Sequence, residues 1–484
     1  MGIRKVLVLT GLVSLGFAFG QAQDRNDNHP QESNSSLPQY SSGSLPQNET
    51  GGMFSDVSVR DVKRDSSVVA WAEWSYDDCV DIAIANNPDI RRTIISILQA
   101  EQDIESAKDA YLPTVDFATS QGFTNYPKPA DGRNANAYNS SYGVNASWTV
   151  WEGNVRKYRL ESSRLMRRQQ ELAGEDLVKE LKLQILRAYL NIMYSHEAVA
   201  IAKQTLEVST AQAERARKLM EAGRSSIVEV AQIESQRAQD EYNVVEAESS
   251  LASYKMTMKQ LLALGIDDDF EIDRTAFPDG AVNELLPSMD ATYRAAQSWL
   301  PELRSNELSK DIYANDVKVA KAGRMPNVAL QGALGTGYTS GGRSWSWQMS
   351  RGFNEYIGLS LSVPIFDGNK TRRAVAKANI AALEYDVNRD NLLDDLSQTI
   401  ENLYIEARSA RARYESGIAR LAAMEETDRL VNRQFELGAV NPLDLLTAHN
   451  NLLSARLEQL QNKYMAILST KTIEFYNTQQ VSIP

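Results

Sequence analysis

The sequence predicts a mainly α-helical fold with a small transmembrane β part, built by running twice through one programme. Three observations predict it. Unlike landmarks recur at a nearly constant offset, proline-free stretches carry helical periodicity over roughly 70 residues, and short strand-like segments interrupt each copy.

Asn87-Pro88 recurs as Leu300-Pro301, and Leu112-Pro113-Thr114-Val115 as Met325-Pro326-Asn327-Val328, both 213 residues on. Trp151-Glu152-Gly153-Asn154 recurs as Phe366-Asp367-Gly368-Asn369, and Gly223 as Gly438, both 215 residues on. An insertion of two residues therefore falls between the prolines and the glycine turns, where a loop absorbs it. The two structural repeats are read as residues 71–278 and 279–484.

No proline occurs between Pro129 and Pro278 or between Pro364 and Pro442. From about Asn154 to Ala222 the pattern is one helix, ~100 Å long at 1.5 Å per residue. Thirteen positions from Val178 to Met220 step alternately by three and four, and eleven of them are apolar. That 3.5-residue seam winds helices into a left-handed coiled coil. Shifted by 215 it runs from Leu393 to Phe435 and keeps its phase, with Gly417 and Asp428 as the two exceptions.

Between the shorter and longer helices of each half, Gly, Ser, Asn and aromatics replace Leu, Glu and Lys. Strands are expected at Thr114–Thr124 and Tyr138–Val150, then at Asn327–Tyr338 and Glu355–Ile365. The second alternates Tyr142, Val144, Ala146, Trp148 and Val150 on one face, the fourth Ile357, Leu359, Leu361, Val363 and Ile365. Loops are expected at 127–132 and 339–354. Trp148, Trp151, Trp345 and Trp347 fall in or beside these segments, as membrane-interface aromatics would. An aqueous β-sandwich gives similar alternation. Strands of about 11 residues can cross a membrane at a tilt. Four cannot close a barrel, and open edges are not tolerated in lipid. Several copies would then share one barrel, with eight strands from a dimer or twelve from a trimer.

The N-terminus reads as an export signal. Arg4 and Lys5 precede an apolar run from Val6 to Phe19, and Gly20-Gln21-Ala22 offers a cleavage pattern, so residues 1–22 are assigned to a signal peptide. Residues 23–70, dense in Ser, Asn, Gln, Pro and Gly at their start, read as a polar disordered tether. No later stretch is apolar enough to span a bilayer as a helix.

Removing the signal leaves 51 − 2 = 49 basic residues against 63 acidic ones, a net of −14, which disfavours nucleic acid as a partner. Cys79 is the only cysteine, so no internal disulfide forms, and it reads as a small apolar helix residue. The three histidines, His29, His196 and His449, stand in no metal-ligand spacing, and surface or packing roles are assigned to them. No phosphate-cradling Gly-Lys-Ser or Gly-Lys-Thr loop occurs. No catalytic residue, metal site or cofactor is therefore expected, and an enzyme is not.

Each long helix ends in a compact turn, at 222–229 and 437–444. Gly223 and Gly438 suit the left-handed position after a helix end. Ser226 with Glu229 makes a capping-box pattern, and Asn441-Pro442 with Asp444 an N-cap, a first-position proline and a first-turn acid. Beyond capping, symmetry would gather Glu229 and Asp444, with Arg224 nearby, into rings around the far mouth of a conduit. Ser225, Ala439, Val440 and Asn441 would meet a partner protein there.

Together these landmarks, with the Val363-Pro364-Ile365-Phe366-Asp367-Gly368 turn, resemble the TolC-like outer-membrane efflux protein family over roughly residues 71–480. The resemblance implies a homotrimer with a 12-stranded β-barrel and an α-helical periplasmic barrel. It implies docking onto a periplasmic adaptor (membrane fusion) protein and an inner-membrane RND or ABC transporter, with outer-membrane lipid around the strands. The positions of Gly223, Glu229, Gly438 and Asp444 would belong to the adaptor-contact and aperture region. Thr149 stands where the second half has Pro364, and Val440 occupies a tip position that is Arg in some relatives. The competing expectation is a periplasmic coiled-coil scaffold or adaptor without its own pore.

Overall fold

A computed structural model of the chain describes Phe54 and residues 73–128, 135–266, 268–275 and 277–483. The signal peptide and the tether lie outside the described residues, Phe54 excepted.

The first half runs α1 (Tyr76–Asn86), α2 (Pro88–Asp109), β1 (Thr114–Asn125), β2 (Asn136–Trp151), α3 (Val155–Glu221) and α4 (Ile227–Leu261). After a 3-10 turn at Asp279–Asn283, the second half runs α5 (Met289–Trp299), α6 (Pro301–Ala322), β3 (Asn327–Thr339), α7 (Trp345–Arg351), β4 (Asn354–Ser362), α8 (Lys370–Glu436) and α9 (Pro442–Thr478). The bounds of α1 and α2 recur in α5 and α6 shifted by 213, and both bounds of α3 recur in α8 shifted by 215. The extra two residues fall within the second β-hairpin, whose connection contains α7.

Local chemistry sets the element ends. Asn87 caps α2 by accepting from the N–H groups of Asp89 (2.7 Å) and Ile90 (3.4 Å), with Pro88 at the first helical position. Each strand-to-helix corner is a Gly-Asn pair in the left-handed region: Gly153 and Asn154 at φ 67° and 65°, Gly368 and Asn369 at 66° and 66°. Glycine and asparagine are the residues that adopt this region at least cost. At Gly153 a side chain is excluded twice over, since an added Cβ would sit 2.7 Å from that of Met325.

The seam read from the sequence is the packed line of α3. Of its thirteen positions eleven are buried, and Leu206 and Met220 are half-buried. The largest cluster of buried side chains forms where α1, α2, α3 and the end of α4 meet, around Cys79, Ile97, Ile185, Ile192, Met258 and Leu262. Burial pushes the Cys79 thiol up to about 12, which keeps it protonated and unreactive. The corresponding line on α8 is covered less, with five positions buried and eight half-buried. Ile380, Leu383, Val387 and Ile405 of α8 are more than half exposed, large apolar side chains that nothing among the described residues covers.

Phe54 departs from the reading of 23–70 as disordered tether. Its ring is buried against α3 at Gly174, where an added Cβ would lie 2.7 Å from the ring edge. A glycine inside a long helix costs about 1 kcal/mol relative to alanine, and here it makes room for an aromatic ring.

The four strands form one antiparallel sheet in the order β1-β2-β3-β4. β4 ends at Ser362 rather than continuing to Ile365. Ser362 faces Asn327, the first residue of β3, so its partner strand has run out, and Pro364 has no N–H to give. The connection at 339–354, expected as loop, contains α7, which carries Trp345 and Trp347. Part of the connection expected at 127–132 lies outside the described residues.

Candidate functional site

The register divides the sheet into two chemically distinct faces. Val144 on β2 stands opposite Phe117 on β1 and Leu334 on β3, and Trp148 opposite Leu330, which in turn faces Leu359 on β4. Toward the long helices this face is apolar across all four strands, and toward the far end it also carries Thr119, Gln121, Ser140 and Glu355. One residue on, Asn145 stands opposite Asp116 and Ala333, and the rest of this face carries small or polar residues such as Ser120, Ser141, Gly143, Gln331, Gly358 and Ser360. The Asn145 amide donates to the Asp116 carboxylate at 3.1 Å. Phe117, Ile357, Leu359 and Leu361 are all about two-thirds or more exposed, so the apolar face has no cover there from the described residues. Among the described residues β1 and β4 each have one neighbour, leaving two backbone edges unpaired.

A bulge adjusts the aromatics at the helix end of the sheet. Pairing with β3 shifts between Thr149 and Trp151, which places Trp151 opposite Val328 of the apolar face. Simple alternation would have put it on the other face, and bulges re-aim side chains in this way. Nearby the Trp148 indole N–H donates to the Tyr111 carbonyl at 2.9 Å. Arg156 fastens the corner, donating to the carbonyls of Ala110 (3.2 Å) and Val150 (2.9 Å) while lying over the Tyr111 ring. Trp345 and Trp347 sit at the opposite end of the sheet, both exposed.

The far ends of the long helices turn identically. Gly223 and Gly438 adopt φ 70° and 73°. Arg224 N–H donates to Leu219 O (2.8 Å) and Gly223 N–H to Met220 O (2.9 Å). Ala439 N–H donates to Gln434 O (2.9 Å) and Gly438 N–H to Phe435 O (3.0 Å). These paired bonds close a helix by the Schellman pattern. Ser226 and Glu229 exchange the two bonds of a capping box. The Ser225 hydroxyl and then the Ser226 N–H hold the Glu229 carboxyl below its ordinary range, so it stays charged at neutral pH. Asn441 caps α9 through the Asp444 N–H at 3.0 Å. The sequence reading missed Ile227, Val228, Leu437 and Leu443, apolar tip residues between 64% and 77% exposed. Their signal was available: large apolar residues flanking a turn, outside the seam.

Just behind the tips the apolar core shrinks to Ala213, Ala216, Val230 and Ile233. Polar ties between the two helical hairpins take over. Gln212 of α3 donates to Asn432 of α8 at 2.8 Å, and Arg215 pairs with Glu436 at 2.6 Å. Gln236 of α4 and Asn450 of α9 exchange amide bonds of 3.1 and 3.3 Å. One step deeper, Asp240 of α4 meets His449 of α9 at 3.3 Å, with side chains 0% and 7% exposed. Burial works against the Asp240 charge, but contacts with His449, Ser209 and Gln236 outweigh it and hold the carboxyl below its ordinary range. Asp428, one of the two seam exceptions, is pushed the other way: burial raises it more than nearby His449, the Asn432 amide that donates to it and Arg456 lower it. His449, assigned a surface or packing role from sequence, is thus a buried partner of a carboxylate joining the hairpins.

The model of the outer membrane efflux protein family matches residues 79–264 and 292–474, one stretch in each half. The chain belongs to the outer membrane efflux protein family. Among curated relatives it is similar to outer membrane protein TolC of Vibrio cholerae serotype O1, 21% identical over 415 residues that make up 83% of this chain and 90% of that protein. It is also similar to protein CyaE of Bordetella pertussis, 22% identical over 396 residues, 82% of each chain. Its fold matches the solved structure of CusC with a TM-score of 0.70 at 18% identity, covering 85% of this chain and 96% of that one.

An outer membrane efflux protein is a transport channel and not an enzyme, and its place is the outer membrane with helices reaching into the periplasm. Among the described residues no helix is long and apolar enough to cross a membrane.

Proposed function

We propose that three copies close one barrel of twelve strands in the outer membrane and continue it inward as a tunnel of long helices. The tips dock onto a periplasmic adaptor protein, which links the tunnel to an inner-membrane RND or ABC transporter. Conduction is passive: the transporter supplies the energy and this chain supplies a water-filled path.

The observation that carries this reading is the pair of open edges on a sheet with one apolar face. Unpaired edge groups in hydrocarbon cost several kcal/mol each, so β4 of one copy must pair with β1 of the next. Two copies would give eight strands, a barrel whose interior side chains fill it. A third copy opens the lumen, and the small residues of the polar face keep it clear. The exposed apolar stretch of α8 is covered in the same assembly. Native mass spectrometry of the detergent-extracted protein is expected to give a mass of three chains; a folded chain that stays monomeric in water without detergent would sink the reading.

Ile227, Val228, Leu437 and Leu443 join Gly223, Arg224, Ser225, Ala439, Val440 and Asn441 in offering the adaptor a surface. Glu229 and Asp444 ring the aperture as carboxylates. Glu229→Ala with Asp444→Ala is expected to lower the preference for cations in planar-bilayer recordings. Unchanged selectivity would leave helix capping as their whole role.

A further inference from the structure

α7 has no counterpart among the described residues of the first β-hairpin. Residues 339–354 contain Arg343, Trp345, Trp347, Arg351 and Phe353 and no Asp or Glu, in a chain whose formal net charge is −12. This locally basic, aromatic segment is held firmly. The Gln348 amide donates to the Thr339 carbonyl (2.9 Å) and accepts from the Thr339 N–H (3.0 Å), standing in for a strand residue where β4 has not yet begun. Thr336, on the same face as Leu334 and Val144, donates its hydroxyl to the Met349 carbonyl at 2.8 Å. α7 is therefore fixed on the apolar side of the sheet, at the end away from the long helices.

Trp347 and Arg351 stand four residues apart within α7 and so share one side of it, while Arg343 precedes the residue that starts the helix. The Arg343 guanidinium lies 4.5 Å from the centre of the Trp347 ring. Trp345 and Trp347 are 56% and 41% exposed, and no residue of α7 is buried.

We propose that α7 lies in the outer-leaflet interface and that Arg343 and Arg351 bind phosphate groups of the glycolipid there. Tryptophan settles at headgroup depth, a short amphipathic helix lies in that plane, and guanidinium groups take phosphate oxygens two at a time. The cation–π contact holds Arg343 beside the ring that anchors it. The inference rests on the proposed lipid-facing side of the sheet, and its test separates the two.

The full-length protein is reconstituted in phosphatidylcholine bilayers with or without diphosphorylated lipid A, and retained lipid A is measured by native mass spectrometry. Arg343→Gln with Arg351→Gln is expected to reduce retention at least about tenfold, and lysine at both positions by less. Equal retention by wild type and variant overturns the proposal. So does release of lipid A by millimolar inorganic phosphate, which would make the site one for free anions. A second measurement uses bromine-labelled lipid and unmodified arginines: Trp345→Phe with Trp347→Phe should remove part of the lipid-quenched emission, and Trp148→Phe another part. If only the Trp148 share is quenched, α7 is not interfacial and the barrel reading stands; if neither is quenched, both fall. A rise in conductance on deleting 343–351 without loss of lipid A retention would make α7 a lid over the pore and overturn the interfacial role.

Discussion

A lysine at Val144 is expected to keep the protein from assembling in the membrane, while a lysine at Asn145, one residue along, leaves assembly intact. Val144 lies mid-strand on the apolar face between Phe117 and Leu334; Asn145 lies on the polar face between Asp116 and Ala333. A lysine on the lipid side of a barrel costs about 2–4 kcal/mol near the bilayer midplane, and a trimer carries the penalty three times. At Asn145 the ammonium would meet water and the Asp116 carboxylate. The expected readouts are loss of the detergent-extractable oligomer for Val144→Lys, and a normal oligomer with weaker cation preference for Asn145→Lys. Equal behaviour of the two would show that the faces are wrongly assigned.

His449→Leu is expected to loosen the hairpins behind the tips by about 1–3 kcal/mol, the usual cost of leaving a buried polar group without its partner. The Asp240 carboxylate has no exposed surface and would retain only Gln236 and Ser209. Hydrogen exchange in α4 and α9 should rise near these residues, and adding Asp240→Asn should restore most of the protection. Without that restoration, His449 acts by volume rather than through the Asp240 carboxylate. Asp428→Asn is expected to act with the opposite sign, tightening α8 at neutral pH by removing a charge that burial disfavours.

The pH dependence follows from the same two groups. Asp240 titrates below its unfolded value, so its stabilisation is complete above the ordinary carboxylate range of about 4 and is lost as pH falls through the lower folded value. Asp428 titrates above its unfolded value, so its charge destabilises at neutral pH and the penalty lifts on acidification. The two oppose each other in the wild type. In the Asp428→Asn protein acid loosening of the hairpins should be steeper.

What could be read from sequence was whatever repeats along one chain segment. The seam of α3 is a property of consecutive turns, and its burial follows from that period alone. The Gly-Asn corners and the tip caps are likewise local, set by backbone conformation within a few residues. What was missed or misread shares another cause. The end of β4 depends on where β3 begins, and the facing of Trp151 on a slip in pairing with a strand almost two hundred residues away. α7 is held by a side chain that mimics a strand partner, which no periodicity announces. Asp240 and His449, on helices of different halves, meet only because the hairpins lie side by side. A histidine with no ligand spacing gives no hint of that.

The equality of α3 and α8, 67 residues each, restricts how such a protein can change its reach. Removing one heptad from α8 alone would draw its tip back by about 10 Å, leaving Gln212 and Arg215 without their partners and the rim uneven. Reach can therefore be altered only by matched edits in both halves, so insertions and deletions in the long helices should survive in pairs or not at all.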